Sequence, residues 1–355
     1  MQSLRRTRVL ALIVSVLIIV ASLEVFSTVK AQKKKTDKEE NGTPVLWRDP
    51  GDMRKRDLYY GPGSEALAPK PPFRFIKEVK EGGMPKFDVE DARGVKWRGK
   101  LGEEAQAETA ASRLVWAAGY NTEESYYFNR ANIDGMKKLS RGQKYVRGNS
   151  VVGARFESRR KHIKRGKEWG WHDNPFKNTR ELNGLKTMMV LTNNWDPFKK
   201  NNKVLHDKNT GEANYTVTDL GATMGRAAGI GAGRSKNNVR DYTRARFVKK
   251  VDGENVKFAY DVHPKKLGLL SALYPPYFIR QHKATTTMNK VPASDAAWIG
   301  AKLAQLSDEQ LRDAFRAAGY DRTTQDAYAR AVRNRINQLT RLRDSELAGR
   351  PRRVQ

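Results

Sequence analysis

Apolar residues alternate at strand spacing early in this chain and recur at helical spacing late in it, and few folds accept that order. "FRFIKEV" (73–79) predicts a strand, "KEGGMP" (80–85) a glycine-rich turn, and "KFDVEDARGVKWRGKL" (86–101) two strands joined at "DARG". The period then changes. "GEEAQAETAASRLVWAAGY" reads as a helix with Ala107, Ala110, Ala111, Leu114, Val115 and Ala118 on one face and Gly119 as its stop. "SYYF" and "VVGARFES" return to strand spacing. Beyond residue 165 the signals are mainly helical, in "RELNGLKTMMVLTNN", "SDAAWIGAKLAQL", "SDEQLRDAFRAAGY" and "TTQDAYARAVRNRINQLTRLRDSEL". One hairpin, "RARFVKKVDGENVKFAYD", turns at Asp252-Gly253. Ser307 and Gln310 form a capping box at the start of their helix.

The N-terminus has a basic start (Arg5, Arg6, Arg8), an apolar run from Val9 to Leu23 and a small-residue site at Val29-Lys30-Ala31. This is the layout of a signal peptide over residues 1–31, and it places the mature protein in the periplasm or outside the cell. Uncleaved, the same run is a membrane anchor. Residues 32–70 are charged and rich in Pro and Gly, and read as a linker that wraps the domain through Trp47, Leu58, Tyr59 and Tyr60. The ordered part divides into 71–165, strand-rich with one helix, and 166–345, helical, before a basic tail at 346–355. The chain has no cysteine, which excludes disulfides, zinc-thiolate sites and cysteine nucleophiles. Its five histidines include no pair at helical spacing and no HExxH, which argues against a zinc hydrolase. Lys and Arg number 68 against 39 acids, a net charge of +29 that attracts polyanions or an anionic membrane surface. The export signal disfavours nucleic acid as the partner.

A strand-rich front, a helical back and polar motifs at their junction make an α+β, two-lobed, protein-kinase-like organisation. Phosphoryl transfer needs a cation for the nucleotide phosphates, a carboxylate to hold that cation, ligands for Mg²⁺, and an Asp to orient the acceptor hydroxyl. Lys100 ends the strand "VKWRGKL", and Glu108 in the next helix is placed to pair with it. In "NNWDPFKKNNKVL", Asn201 follows Asp196 by five positions, the spacing that joins base and metal-binding amide in H-R-D-L-x-x-x-N. Asp219 in "VTDLGAT" stands at a strand end before Gly221, as a metal-binding Asp does. Gly82 and Gly83 would let the backbone approach phosphates. Arg226, Arg234 and Lys236, in "GRAAGIGAGRSKNN", are candidates for holding an anionic acceptor.

The segments "WRGKLGEEAQAETAASRLVWAAGY", "WGWHDNPFKNTRELNGLKTMMVLTNNWD", "NNKVL", "VTDLGATMG" and "LSDEQLRDAFRAAGY" resemble a family of exported bacterial proteins, over about residues 70 to 335. Their motifs are similar to those of atypical kinases such as the HipA toxins and the secretory-pathway kinases. The resemblance implies Lys100 and Glu108 as the nucleotide pair, Asp196 as the base, Asn201 and Asp219 as metal ligands, and ATP with Mg²⁺ or Mn²⁺ as cofactors. Two departures stand out: no His-Arg precedes Asp196, and the front turn lacks G-x-G-x-x-G. Two other functions fit the same sequence. One is a pseudokinase, which keeps the fold and binds without transfer. The other is an envelope polyanion binder using "RRKHIKRGK", "RLRDSELAGRPRR", Trp169 and Trp171.

Overall fold

The computed structural model describes residues 42–227, 233–263 and 275–348, with side chains through Leu342. The expected signal peptide, the linker as far as residue 41, residues 228–232 of the glycine-rich segment and most of the basic tail lie outside the described residues. The fold is mixed α+β, with seven α-helices and three sheets among the described residues.

The first sheet closes on itself. Its strands are β2 (Phe73–Val79), β3 (Lys86–Glu90), β4 (Lys96–Leu101), β5 (Ser125–Asp134) and β7 (Ser150–Ser158), with the short β6 (Val146–Arg147) beside β7. β4 pairs with both β3 and β7, and β2 pairs with both β3 and β5, so these five strands form a ring. Period-two alternation decides which side chains fill it. Phe87, Val89, Trp97, Leu101, Ala154 and Phe156 point inward and are buried, with the Phe73 and Phe87 rings edge-on to Phe156. Gly99 faces inward too, and its missing side chain makes room for the Phe87 ring pressed against it. Lys86, Asp88, Arg98, Lys100 and Arg155 alternate with these residues and therefore point out of the ring.

Helix α1 (Glu104–Ala117) lies between ring strands in sequence but not in packing. Its apolar face, Ala107, Ala110, Ala111, Leu114 and Val115, belongs to the larger core formed by the rest of the chain. That core is less helical than the periodicity predicts. It carries a four-stranded sheet in the order β1 (Thr43–Val45), β10 (Glu212–Val217), β9 (Asn202–Asp207), β8 (Ile163–Glu168). It also carries a three-stranded sheet of β11 (Val248–Asp252), β12 (Asn255–Phe258) and β13 (Val291–Pro292). Around these stand α2 (Arg180–Leu191), the short α3 (Val239–Arg244), α4 (Pro275–Asn289), α5 (Ala293–Leu303), α6 (Asp308–Arg316) and α7 (Arg322–Ala348). The basic stretch after residue 158, read without regular structure, supplies β8. α4 has no counterpart in the sequence reading.

Residues 42–70 are built into this core. β1 runs parallel to β10, Leu46, Met53 and Leu58 are buried, and the Trp47 indole donates to Ala118 O (2.8 Å) at the end of α1. Gln310 accepts from Ser307 N in the α6 capping box and also donates to Met53 O (2.9 Å) and Arg56 O (2.8 Å) of this strap. Among the described residues, no helix is long and apolar enough to cross a membrane.

Candidate functional site

Lys100 reaches its position because ring closure leaves it on the outer face of β4, between Lys86 on β3 and Arg155 on β7. Glu104 and Glu108 are one helical turn apart at the start of α1, so both present carboxylates to that face. Lys100 Nζ lies 2.7 Å from Glu108 Oε2, 3.2 Å from Glu104 Oε2 and 3.3 Å from Asp219 Oδ1. Burial alone would depress the Lys100 ammonium, yet the carboxylates of Glu108, Asp219 and Glu104 overturn that and raise it well above its ordinary range. Lys100 is therefore a fixed positive charge at neutral pH.

The β9–β10 hairpin sets the opposite wall. Asn202 pairs with Val217, which places Asn201 across from Thr218 and one step from Asp219. Thr218 N donates to Asn201 O (2.8 Å), tying the strand ends together. Asn201 Nδ2 donates to Asp196 O (2.7 Å), which turns the amide so that its oxygen is the end not used in that bond. Trp195 N donates to Ala222 O (3.1 Å) and Met224 N to Thr192 O (2.9 Å), zipping the loop of Asp196 to the segment after Asp219. The four polar residues 196, 201, 218 and 219 thus sit on one braced edge. The Asp196 side chain is 24% exposed, with Lys200 Nζ at 3.4 Å.

Asp219 keeps 43% of its side-chain surface exposed while one oxygen faces Lys100. Burial would raise its carboxyl, but the Lys100 ammonium and the Gly221 N–H (3.1 Å) outweigh it and hold it below the usual range. Gly221 is required for a further reason: a Cβ there would lie 2.7 Å from Glu104 Oε2.

No protein-family model and no curated protein matches this chain. Among solved structures it is similar to the crystal structure of the proinflammatory kinase CtkA of Helicobacter pylori. The TM-score is 0.43 with 9% identity, over 78% of this chain and 95% of that one. The functional reading therefore rests on the geometry of the site.

Several members of the site gave no signal in the sequence. Arg155, 1% exposed, lies 3.5 Å from Glu108 Oε1 and 3.0 Å from Glu157 Oε2, so Glu108 is held by cations on both of its oxygens. Glu157 in turn meets Arg159 (2.8 Å) and Arg165 (3.2 Å), and Arg165 also meets Glu123. This buried chain of alternating charge runs from Lys100 to a cavity of about 470 Å³ lined by Glu123, Arg159, Arg165, Asp207 and Glu212. Burial and the neighbouring Glu157 carboxylate lift Glu123 to about 7, while the arginines hold Glu157 well below the usual carboxylate range against its own burial. Lys86 is lowered by burial and then by Lys100 across the ladder. Each of these residues is an ordinary charge in a charged sequence; only the strand register brings them together.

The glycine turn is braced from outside. Arg141 donates to Lys80 O (2.6 Å) and Gly82 O (2.7 Å), and Gly82 adopts φ 77°. Gly83 has nothing within 4 Å of the place a Cβ would occupy. In the glycine-rich segment, Lys236 is bound to Glu104 (2.7 Å), Arg226 to Asp241 (3.4 Å), and Arg234 to Tyr277 (2.9 Å) with its guanidinium over Trp195. All three are thus engaged within the fold. Three of the six basic residues of "RRKHIKRGK" are paired as well, since Arg159, Arg160 and Arg165 face Glu157, Glu124 and Glu123. Trp169 and Trp171 are buried at 2% and 7% exposure.

Proposed function

We propose that this chain is a kinase-like phosphotransferase, with a two-lobed kinase-like organisation around the site described above, acting on a nucleotide and an acceptor hydroxyl. The observation that carries the reading is the convergence of Lys100 and Glu108, from the adjoining β4 and α1, with Asp219, 119 residues after Lys100, beside a hairpin next to Asn201 and Asp196. Lys100, fixed by Glu108, which Arg155 holds in turn, would hold the nucleotide phosphates beneath the glycine turn. Asp219 and the Asn201 amide oxygen would hold Mg²⁺ or Mn²⁺. This donor set fits such an ion, which takes one or two protein oxygens and completes its shell with phosphate and water. Bound there, the ion would neutralise charge on the phosphates.

Asp196 would accept a hydrogen bond from the acceptor hydroxyl and orient it. The acceptor oxygen then bonds to the terminal phosphorus, the bond from that phosphorus to its bridging oxygen breaks, and the hydroxyl proton passes to Asp196. The basic, apolar N-terminal segment supports export as part of this proposal.

The test is thermal shift of the full chain with ATP, GTP and ADP at millimolar Mg²⁺ or Mn²⁺, followed by transfer of labelled phosphate. A ligand at ~100 times its dissociation constant adds about 2.7 kcal/mol, a clear rise in melting temperature. No rise with any of the three nucleotides, or a rise unchanged in Asp219→Ala, would remove the reading. A rise with no transfer to any acceptor would leave a pseudokinase.

A further inference from the structure

Most of the positive charge near Lys100 has a carboxylate opposite it, but another group of lysines does not. Helices α2 and α4 flank an open groove of about 670 Å³, lined also by Pro292 and Asp295. α2 contributes Asn183 and Lys186, and α4 contributes Lys283, Thr286 and, just past its end, Lys290. Among the described residues, no carboxylate lies within ion-pair distance of Lys186, Lys283 or Lys290; Lys186 Nζ donates instead to Asn183 Oδ1 (2.9 Å). The one acid of the groove, Asp295, accepts from Asn183 Nδ2 (2.8 Å) and, from beyond ion-pair distance, offsets part of the Lys186 charge but not that of Lys283 or Lys290. At the rim, His172 Nε2 meets Thr287 Oγ1 at 2.8 Å, which fixes the ring. Burial, and then Lys283, Lys186, Lys177 and Lys290, all push the His172 imidazole below its ordinary range. Lysines facing one another across a groove repel, and an anion between them removes that repulsion.

The chemistry of the walls narrows the ligand. Lysine offers point charges that suit the dispersed oxygens of linked phosphates, and the groove contains no arginine fork of the kind that selects a planar carboxylate. Amide and hydroxyl donors from Asn178, Asn183 and Thr286 stand beside the ammonium groups. Tryptophan, tyrosine and phenylalanine are absent from its walls, so it offers no such ring for a base to stack on. Its volume falls within the roughly 300–1,000 Å³ of small-molecule sites. We propose that the α2–α4 groove binds a compact ligand carrying two or more phosphoryl groups, at a site separate from Lys100 and Asp219, neither of which lines it. The inference stands whether or not the protein transfers phosphate.

Calorimetric titration of the full chain with tripolyphosphate, pyrophosphate and orthophosphate, without divalent cations, tests it. Lys283→Gln with Lys290→Gln should weaken tripolyphosphate binding at least about tenfold, and Lys55→Gln with Lys70→Gln, exposed and outside the groove, should leave it nearly unchanged. Lys283 and Lys290 are exposed too, and the ligand-free melting temperature of their double variant checks its fold. Independently of any variant, tripolyphosphate should shield Lys283 and Lys290 of the unaltered chain from acetylation, read by mass spectrometry. Three results would overturn the proposal: no binding of tripolyphosphate, binding undiminished in the Lys283/Lys290 double variant, or binding only to phosphatidylglycerol vesicles. The last would assign these lysines to an anionic lipid surface.

Discussion

The Lys100 ammonium sits 3.3 Å from the Asp219 carboxylate across 119 residues of chain. Ring closure delivers the first and the β9–β10 hairpin the second, so their distance measures how the ring and the larger core are seated on one another. The two ends of the contact differ. Lys100 is 8% exposed at its side chain and Asp219 43%, so Asp219 is the more accessible of the two to a ligand.

Lys100→Ala is expected to destabilise the chain by about 3–5 kcal/mol, because it removes a cation from the 2%-exposed Glu108. Urea denaturation measures it. Glu108→Gln should cost less than Lys100→Ala, since it leaves Lys100 with Glu104 and Asp219.

Asp219→Ala separates stability from binding. Lys100 keeps two carboxylates, so the ligand-free melting temperature should change little, while the Mg²⁺-nucleotide shift should disappear. Equal losses in both would make Asp219 a structural residue.

Asp196→Ala should leave nucleotide affinity within about twofold and lower the transfer rate by about 10²–10⁴, the usual contribution of a positioned base. Single-turnover phosphate transfer at saturating nucleotide reads the rate, and calorimetry the affinity.

Glu123 gives the fold a pH dependence. Its carboxyl rises from 4.5 to about 7. Between those values the folded chain keeps a proton that the unfolded chain has released, so stability falls as pH rises from about 4.5 to about 7 and levels off above. Glu157, held low, acts oppositely and loses its contribution as pH drops below the ordinary carboxylate value. Glu123→Gln should remove the fall between about pH 4.5 and about pH 7 in the melting temperature; an unchanged slope would place the proton elsewhere.

The legible part of the site consisted of residues whose spacing has a chemical reason. Lys100 ends a strand, Glu108 lies eight residues on in a helix, and the five-residue step from Asp196 to Asn201 stands out on its own. Arg155 and Glu157 did not stand out, because "GARFES" is an ordinary strand until β4 is known to pair with β7 on its other edge. That closure is a long-range event with no local signature. The same reasoning explains β8, whose alternating lysines and arginines mask its strand period, and α4, whose apolar face is weak. Residues 42–70 were read as a linker for their Pro, Gly and charge; three buried apolar side chains, Leu46, Met53 and Leu58, sufficed to bind them in.

Gln310→Ala should loosen that strap, removing the side-chain donor to Arg56 O, leaving Met53 O with Arg56 N alone and costing about 1–3 kcal/mol. Limited proteolysis would then cut between residues 42 and 70 faster than in the unaltered chain.

The strap also orders events in time. Its strand β1 finds its partner at residues 212–214, and its carbonyls meet a glutamine up to 257 positions away. A chain emerging from its N-terminus makes this segment early and cannot seat it until α6 exists. Contacts of such separation form slowly, since the loop between them must first be closed. β1 can pair with the edge of β10, whose far end leads to Asp219, only once residues 212–214 exist, and the carbonyls of Met53 and Arg56 wait longer still for Gln310, so the strap made first is among the last parts of the molecule to be seated.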